Sequence, residues 1–182
     1  MAFKQWDIDS GHSGIHLSVR HMVVAKVRGQ FSRWSGSLTA EDGDITNGTV
    51  KVVIDASSID TGVEDRDAHL RSADFLDVAN FPEITFEGKV VRKSSDDRLV
   101  IAGPLTLHGV SREVQLDVEY AGSTQDPWGN QRAGFSAKTS LDRKDFGLTW
   151  NQALEAGGVL VGHKVEIELE IEAVLQAEVK TA

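Results

Sequence analysis

The chain of 182 residues carries a formal net charge of −9 and contains no cysteine. Because nucleic acids and anionic membranes are bound through clustered Lys and Arg, this acidic balance argues against a nucleic-acid partner and against loose adsorption to an anionic membrane surface. The missing cysteine excludes disulfides, thiolate catalysis and cysteine-based zinc sites, and no apolar run approaches the roughly 18 residues that a membrane span needs. The length suits one domain, which we place at residues 1–176, followed by a polar tail at residues 177–182.

The N-terminal residues lead directly into the first strand pattern. Residues 1–6 contain no basic segment followed by an apolar one, so we expect no secretory signal and a cytoplasmic location. No repeat, linker or low-complexity segment appears before the tail, in agreement with a single domain.

Apolar and polar residues alternate along most of the chain, and this period of two predicts about eight β-strands. Each strand has one apolar face that is expected to be buried and one polar face that is expected to contact solvent. In chain order, the apolar rows are Ile15, Leu17 and Val19; Val27, Gly29 and Phe31; Ile84, Phe86, Gly88 and Val90; Leu99, Ile101, Gly103, Leu105 and Leu107; Val114, Leu116, Val118 and Tyr120; Ala133, Phe135, Ala137, Thr139 and Leu141; and Val165, Ile167, Leu169, Ile171 and Ala173.

Long antiparallel strands with a single apolar face form either a sandwich or a closed barrel. Glycines lie within several of the apolar rows, and glycines let strands bend sharply at barrel corners. We therefore predict an all-β fold with short helices, built as an antiparallel eight-stranded barrel. Eight strands can enclose one small ligand or be filled by side chains.

The alternation stops between Ile54 and Phe86. Thr61 and Glu64 have the spacing of a capping box, which predicts that a short helix starts there. We expect a helical segment near residues 62–77 that covers one end of the barrel, before Pro82 returns the backbone to an extended conformation.

This helical segment also holds the densest group of charged side chains. One interpretation is a solvated helix whose ion pairs each contribute little. The other is a lid over a barrel mouth, in which Arg66, His69 and Arg71 contact the polar head group of a ligand. Arginine suits a phosphate because its planar fork donates two parallel hydrogen bonds, although neighbouring aspartates can neutralise the arginines instead.

The histidines do not form a recognisable metal motif. His12 and His16 are four residues apart, which on a strand is about 13 Å, too far to share one ion. We expect no bound metal, and hydrogen bonding at strand ends for His21 and His108. No serine-hydrolase, P-loop or dinucleotide motif occurs, so no catalytic residue is predicted. Asp145-Phe146-Gly147 predicts a turn in which Phe146 plugs one end of the barrel.

The chain resembles the YceI-like family over nearly its whole length. The residues that carry the resemblance are the stretch RDAHLRSADFLDVANFPEITF at residues 66–86, together with Trp6-x-Ile8-Asp9, His12-Ser13-x-Ile15, Val19-Arg20-His21, Gly103-x-Leu105-Thr106-x-His108-Gly109-Val110, Arg143-x-Asp145-Phe146-Gly147, Trp150-Asn151 and Leu160-Val161-Gly162. The resemblance implies a lipocalin-like barrel that binds polyisoprenoid lipids. It also implies that many relatives are periplasmic or dimeric, and it identifies no catalytic residue.

We therefore predict a non-enzymatic carrier, without a cofactor, for a polyisoprenoid, a prenylated quinone or a fatty acyl lipid. Burial of each CH₂ contributes about 0.8 kcal/mol, so a long tail needs few polar contacts. The residues expected to line the cavity are Leu17, Val19, Phe31, Phe75, Phe86, Leu105, Leu107, Phe135, Trp150, Ile167 and Leu169.

Two other functions stay open from the sequence. One is an enzyme acting on an isoprenoid or quinone lipid, with His21, His69 or His108 as the acid–base group. The other is a stress-response or interaction module with a filled barrel. A homodimer is possible, although the acidic face of the last strand would repel its own copy.

Overall fold

Eleven strands form one antiparallel sheet in the computed structural model, which describes residues 3–41 and 44–176. The predicted polar tail, residues 177–182, lies outside the described residues. The strands are β1 (Phe3–Ile8), β2 (Gly14–His21), β3 (Ala25–Phe31), β4 (Trp34–Glu41), β5 (Asp44–Asp55), β6 (Ile59–Asp60), β7 (Glu83–Lys93), β8 (Arg98–Leu107), β9 (Val110–Gln125), β10 (Gln131–Asp142) and β11 (Val161–Leu175).

Eight of these strands close into a ring, in the order β1, β4, β5, β7, β8, β9, β10 and β11, because β1 also pairs with β11. The remaining strands extend this ring. A short 3-10 helix, Ser10–His12, separates β1 from β2, and both strands pair with β11. A second 3-10 helix, Ala56–Ser58, separates β5 from β6 in the same way, and two residues separate β3 from β4. The prediction of an eight-stranded lipocalin-like barrel is therefore confirmed. Three of its long strands are interrupted and appear as the pairs β1 and β2, β3 and β4, and β5 and β6.

The period-two alternation places the predicted apolar rows on the inner face of the barrel. Leu169 of β11, for example, pairs with Ala137 of β10 on one side and with Ile15 of β2 on the other, and all three belong to predicted inner rows. Gly103 is needed where β8 approaches β7, because a Cβ atom there would overlap the carbonyl oxygen of Glu87.

One α-helix, α1 (Glu64–Arg71), follows β6. Among the described residues, no helix combines the length and the apolar character required to cross a bilayer. The predicted capping box is wrong: Val63 occupies the N-cap position and makes no side-chain capping bond. The buried carboxylate of Asp67 accepts hydrogen bonds from both the backbone N–H and the hydroxyl of Thr61, since a buried charge must be hydrogen-bonded. Glu64 instead pairs with Arg71 at 2.8 Å.

Phe146 lies at the end of the barrel where β10 stops, in the 3-10 helix Arg143–Phe146. Its side chain is 2% exposed and packs in the main hydrophobic cluster. Nδ1 of His108 donates a hydrogen bond to the Phe146 carbonyl oxygen at 3.1 Å. The ring is buried but lines neither chamber of the interior, so the plug stays a prediction, while the hydrogen bond gives His108 the structural role expected of it.

An ion-pair network at the opposite end of the barrel joins β10 to β11, to the turn after β9 and to the residue that follows β1. Arg132 on β10 donates to Asp126 at 2.8 Å, to Asp9 at 3.0 Å and to Glu172 at 2.7 Å. The hydrogen bond from Arg132 is the largest cause that holds the pKa of Asp126, and also that of Asp9, below the usual range for an aspartate. Because the folded-state pKa values are depressed, the network stabilises the fold above the unfolded-state pKa and loses this effect as the pH falls.

We expect the melting temperature of Arg132→Met to lie below that of the parent at neutral pH. The difference should begin to shrink as the pH falls below about 4, where the aspartates of the unfolded chain take up protons, and should be lost as the pH falls further through the depressed folded-state pKa values. Circular-dichroism melts at a series of pH values measure this difference. Arg98→Met, which removes an exposed pair with Glu119, serves as the control and should change little at any pH. A difference that is constant over the whole pH range would contradict the assignment.

Candidate functional site

The interior of the barrel is hollow and has two chambers. The upper chamber, next to α1, has a volume of about 540 Å³, and the lower chamber has a volume of about 530 Å³. Five residues line both chambers, and we call them the waist: Val52, Phe86, Leu116, Leu169 and Ile171. The side chains leave this space free, so the filled-barrel alternative does not describe the structure.

The residues predicted to line a cavity all face one of these chambers. Phe135 lines the lower chamber. The other ten line the upper chamber, namely Leu17, Val19, Phe31, Phe75, Phe86, Leu105, Leu107, Trp150, Ile167 and Leu169. Strand alternation explains most of these positions, because side chains two residues apart share a face.

Three rings from outside the strands form part of the upper chamber. The ring of His69 on α1 packs edge-on against Phe75 at 5.0 Å and against Trp150 at 4.7 Å, measured between ring centroids. Phe75 and Trp150 are 5.3 Å apart. These contacts dock the helical segment onto the loop that precedes β11, so the predicted helical cap does lie against one end of the cavity.

The three residues expected to contact a head group have different surroundings. Arg66 and His69 line the upper chamber, whereas Arg71 lines neither chamber. Arg66 donates to the hydroxyl and to the carbonyl oxygen of Thr61, at 2.7 and 2.8 Å. Nε2 of His69 lies 2.8 Å from a carboxylate oxygen of Asp74. Two of the three side chains therefore line the chamber. Arg66 has two neutral oxygen partners, and His69 is hydrogen-bonded to a carboxylate.

Arg143 is a chamber-lining residue that the sequence prediction missed. It is 3% exposed and donates to four carbonyl oxygens, those of Gly162 (2.9 Å), Leu148 (2.8 Å), Trp150 (2.9 Å) and Val161 (3.3 Å). Burial lowers the pKa of its guanidinium group, which still stays charged in a protein. The sequence did contain a signal for this position. Arg143 lies two residues after Leu141, so it continues the inward-facing row of Thr139 and Leu141.

One group of side chains has metal-ligand spacing among the described residues. Candidate ligand atoms of Asp9, His12 and Glu172 lie within 4.8 Å of one another. Arg132 donates to both Asp9 and Glu172, so its positive charge occupies the position that a cation would need. The group is better explained as part of the ion-pair network.

Two of the three histidines of the enzyme alternative face the upper chamber. His21 and His69 line the upper chamber, but His108 does not. His108 binds the Phe146 carbonyl and packs on Phe81, with ring centroids 4.9 Å apart. His69 already contacts Asp74, Phe75 and Trp150.

Comparisons with known proteins agree with this architecture. Residues 6–173 match the model of the YceI-like domain. A UPF0312 protein of Vibrio cholerae is 34% identical over 168 residues, which is 92% of this chain and 85% of that protein. The crystal structure of the Campylobacter jejuni YCEI protein superposes with a TM-score of 0.73 at 26% identity, covering 87% of this chain and 90% of that one. A domain of Saccharophagus degradans, described as a polyisoprenoid binding domain, superposes with a TM-score of 0.68 at 16% identity, covering 94% of this chain and 98% of that domain.

Proposed function

Because this chain belongs to the YceI-like family, we propose that it binds one long apolar lipid inside the barrel and carries it without catalysing a reaction. The observation that carries the proposal is the pair of apolar chambers that adjoin at the waist. Two chambers in series suit an elongated chain better than a compact ligand. β9 and β11 contain 16 and 15 residues, so each strand extends roughly 50 Å, enough for a tall barrel.

The ligand class that we propose is a polyisoprenoid, a prenylated quinone or a fatty acyl lipid. The fold neighbour from Saccharophagus degradans, described as a polyisoprenoid binding domain, supports this class. The main driving force is burial of the tail, at about 0.8 kcal/mol for each CH₂. A site of this kind should accept several lipids of similar length.

We place the polar end of the lipid in the upper chamber. Arg143 uses four of its five N–H donors on carbonyl oxygens, so one donor and the full charge stay available. Arg66 and His69 face the same chamber. A head group with an acceptor oxygen would contribute the partner that the buried guanidinium lacks, while the tail passes the waist into the lower chamber.

Native mass spectrometry of gently purified protein tests the proposal. We expect one lipid bound to each chain, released by organic extraction and identified in the extract. After delipidation, the protein should take up a fluorescent polyene fatty acid, which receives energy from Trp34 and Trp150 in the upper chamber. Protein that contains no lipid and takes up no probe would overturn the proposal.

A further inference from the structure

The acidic residues of this chain are unevenly distributed. The sequence has 28 Asp and Glu, yet none lies between Asp9 and Glu41. The same segment contains Arg20, Lys26 and Arg28, and three of the six histidines. A net charge of −9 therefore conceals a segment that is locally positive.

The β2–β3 hairpin folds this segment around an exposed apolar tip, which we call the mouth tip: Met22, Val23 and Val24. Their side chains are 46%, 64% and 82% exposed. Met22 and Val23 have φ angles of 52° and 65°, in the left-handed region where a β-branched residue is an outlier. Asn-Gly fits such a hairpin turn without strain, so the turn geometry does not explain the apolar side chains.

The mouth tip lies at the entrance of the upper chamber. The backbone N–H of Met22 donates to the Leu160 carbonyl oxygen at 2.9 Å, and Leu160 lines the chamber. Arg20 and His21, directly before the tip, line it as well. Arg20 is also exposed, so the residues that line the chamber extend to the surface beside the tip.

The cations around the mouth tip are arranged for an anionic surface. Lys26 is partly exposed and pairs with Glu166 at 3.0 Å. Arg20 and Arg28 form no ion pair with any residue that the structure describes. Basic residues that flank exposed apolar side chains are typical of proteins that lie on an anionic bilayer, where the apolar groups enter the acyl boundary and the cations contact lipid phosphates.

We infer that the mouth tip docks this protein on an anionic lipid bilayer and so aligns the upper chamber with the membrane from which lipid is loaded. Met22, Val23 and Val24 enter the headgroup region, and Arg20, Lys26 and Arg28 contact the phosphates. The purpose given to docking, the loading of lipid, rests on the proposed function. The docking itself is measured separately from lipid uptake.

Flotation with vesicles tests the docking. The parent should bind vesicles of phosphatidylcholine that contain one-third phosphatidylglycerol, and bind pure phosphatidylcholine vesicles more weakly. The triple variant Met22→Asn, Val23→Gly, Val24→Ser should lose about tenfold or more in partitioning, without a decrease in melting temperature, because the new residues suit the turn. Arg28→Glu should weaken binding to the anionic vesicles, and it lies outside the lining of both chambers.

Trp128→Ser is the matched control. Trp128 is 82% exposed and lies in the turn between β9 and β10. The first residues of β10 pair near the C-terminal end of β11, whereas the mouth tip lies at the Val161 end. This control should bind vesicles as the parent does. Parent protein that does not float, a triple variant that still floats, or a control that fails to float would each overturn the docking.

Lipid presented in detergent micelles separates this inference from the carrier function. The triple variant should take up micellar lipid as the parent does, because the mouth tip lines neither chamber. Lipid uptake without vesicle binding would contradict the docking and leave the carrier function supported. Vesicle binding without uptake would sink the carrier and leave the docking intact.

Discussion

Replacing Arg143 with methionine is expected to lower the free energy of unfolding by about 3–5 kcal/mol. The guanidinium group donates to Leu148 and Trp150, in the loop before β11, and to Val161 and Gly162, at the start of β11. Methionine fills a similar volume but leaves these carbonyl groups without their donor, and each unpaired buried group costs roughly 1–3 kcal/mol. Part of this cost is offset because the buried charge disappears.

Urea unfolding followed by tryptophan fluorescence measures the effect. Arg98→Met is the matched control, because it removes the same side chain from an exposed pair and should cost less than about 1 kcal/mol. Arg143→Lys should fall between the two, since an ammonium group cannot span carbonyl oxygens on both sides of a planar fork. If Arg143→Met unfolds at the same urea concentration as Arg98→Met, the four hydrogen bonds do not anchor the loop.

Replacing Leu169 with tryptophan at the waist is expected to abolish the gain in affinity that longer lipid tails provide. Leu169 lines both chambers, so a larger ring there would obstruct a tail that extends from one chamber into the other. If the ring excludes about six methylene groups from the lower chamber, the loss is about 5 kcal/mol, or more than a thousandfold in affinity. Tails short enough for the upper chamber should bind the variant almost as they bind the parent.

Displacement of a fluorescent probe by fatty acids of increasing length measures this dependence. Glu168→Trp is the matched control, because residue 168 is exposed on the outer face of the same strand. Affinity should rise with length for the parent and for Glu168→Trp, and level off early for Leu169→Trp. An unchanged dependence in Leu169→Trp would mean that the tail does not pass the waist.

The cytoplasmic location, the homodimer and the absence of a nucleic-acid partner stay predictions. The net charge predicts weak adsorption to anionic membranes, and the proposed docking would be a local exception to that prediction. Total charge averages over the whole surface, whereas docking depends on the few side chains within about 10 Å of the bilayer. Arg20 and Arg28 lie on one hairpin with the mouth tip, and they are the side chains on which that proposal depends.

The sequence by itself determined which side of each strand faces inward. Leu105, Ile167 and Leu169 could be placed correctly because alternation is a local property, set by the backbone within a few residues. The family resemblance is also local information repeated along the chain. Together they predicted the barrel and its apolar interior.

Only the tertiary structure decided what depends on contacts between distant residues. The β1–β11 pairing closes the ring, and ring size relative to side-chain volume leaves space for the two chambers. Arg143 reaches the carbonyl oxygens of Val161 and Gly162 only when β10 and β11 lie side by side. Local patterns carry no information on such partners, because each depends on where the whole chain brings a second segment.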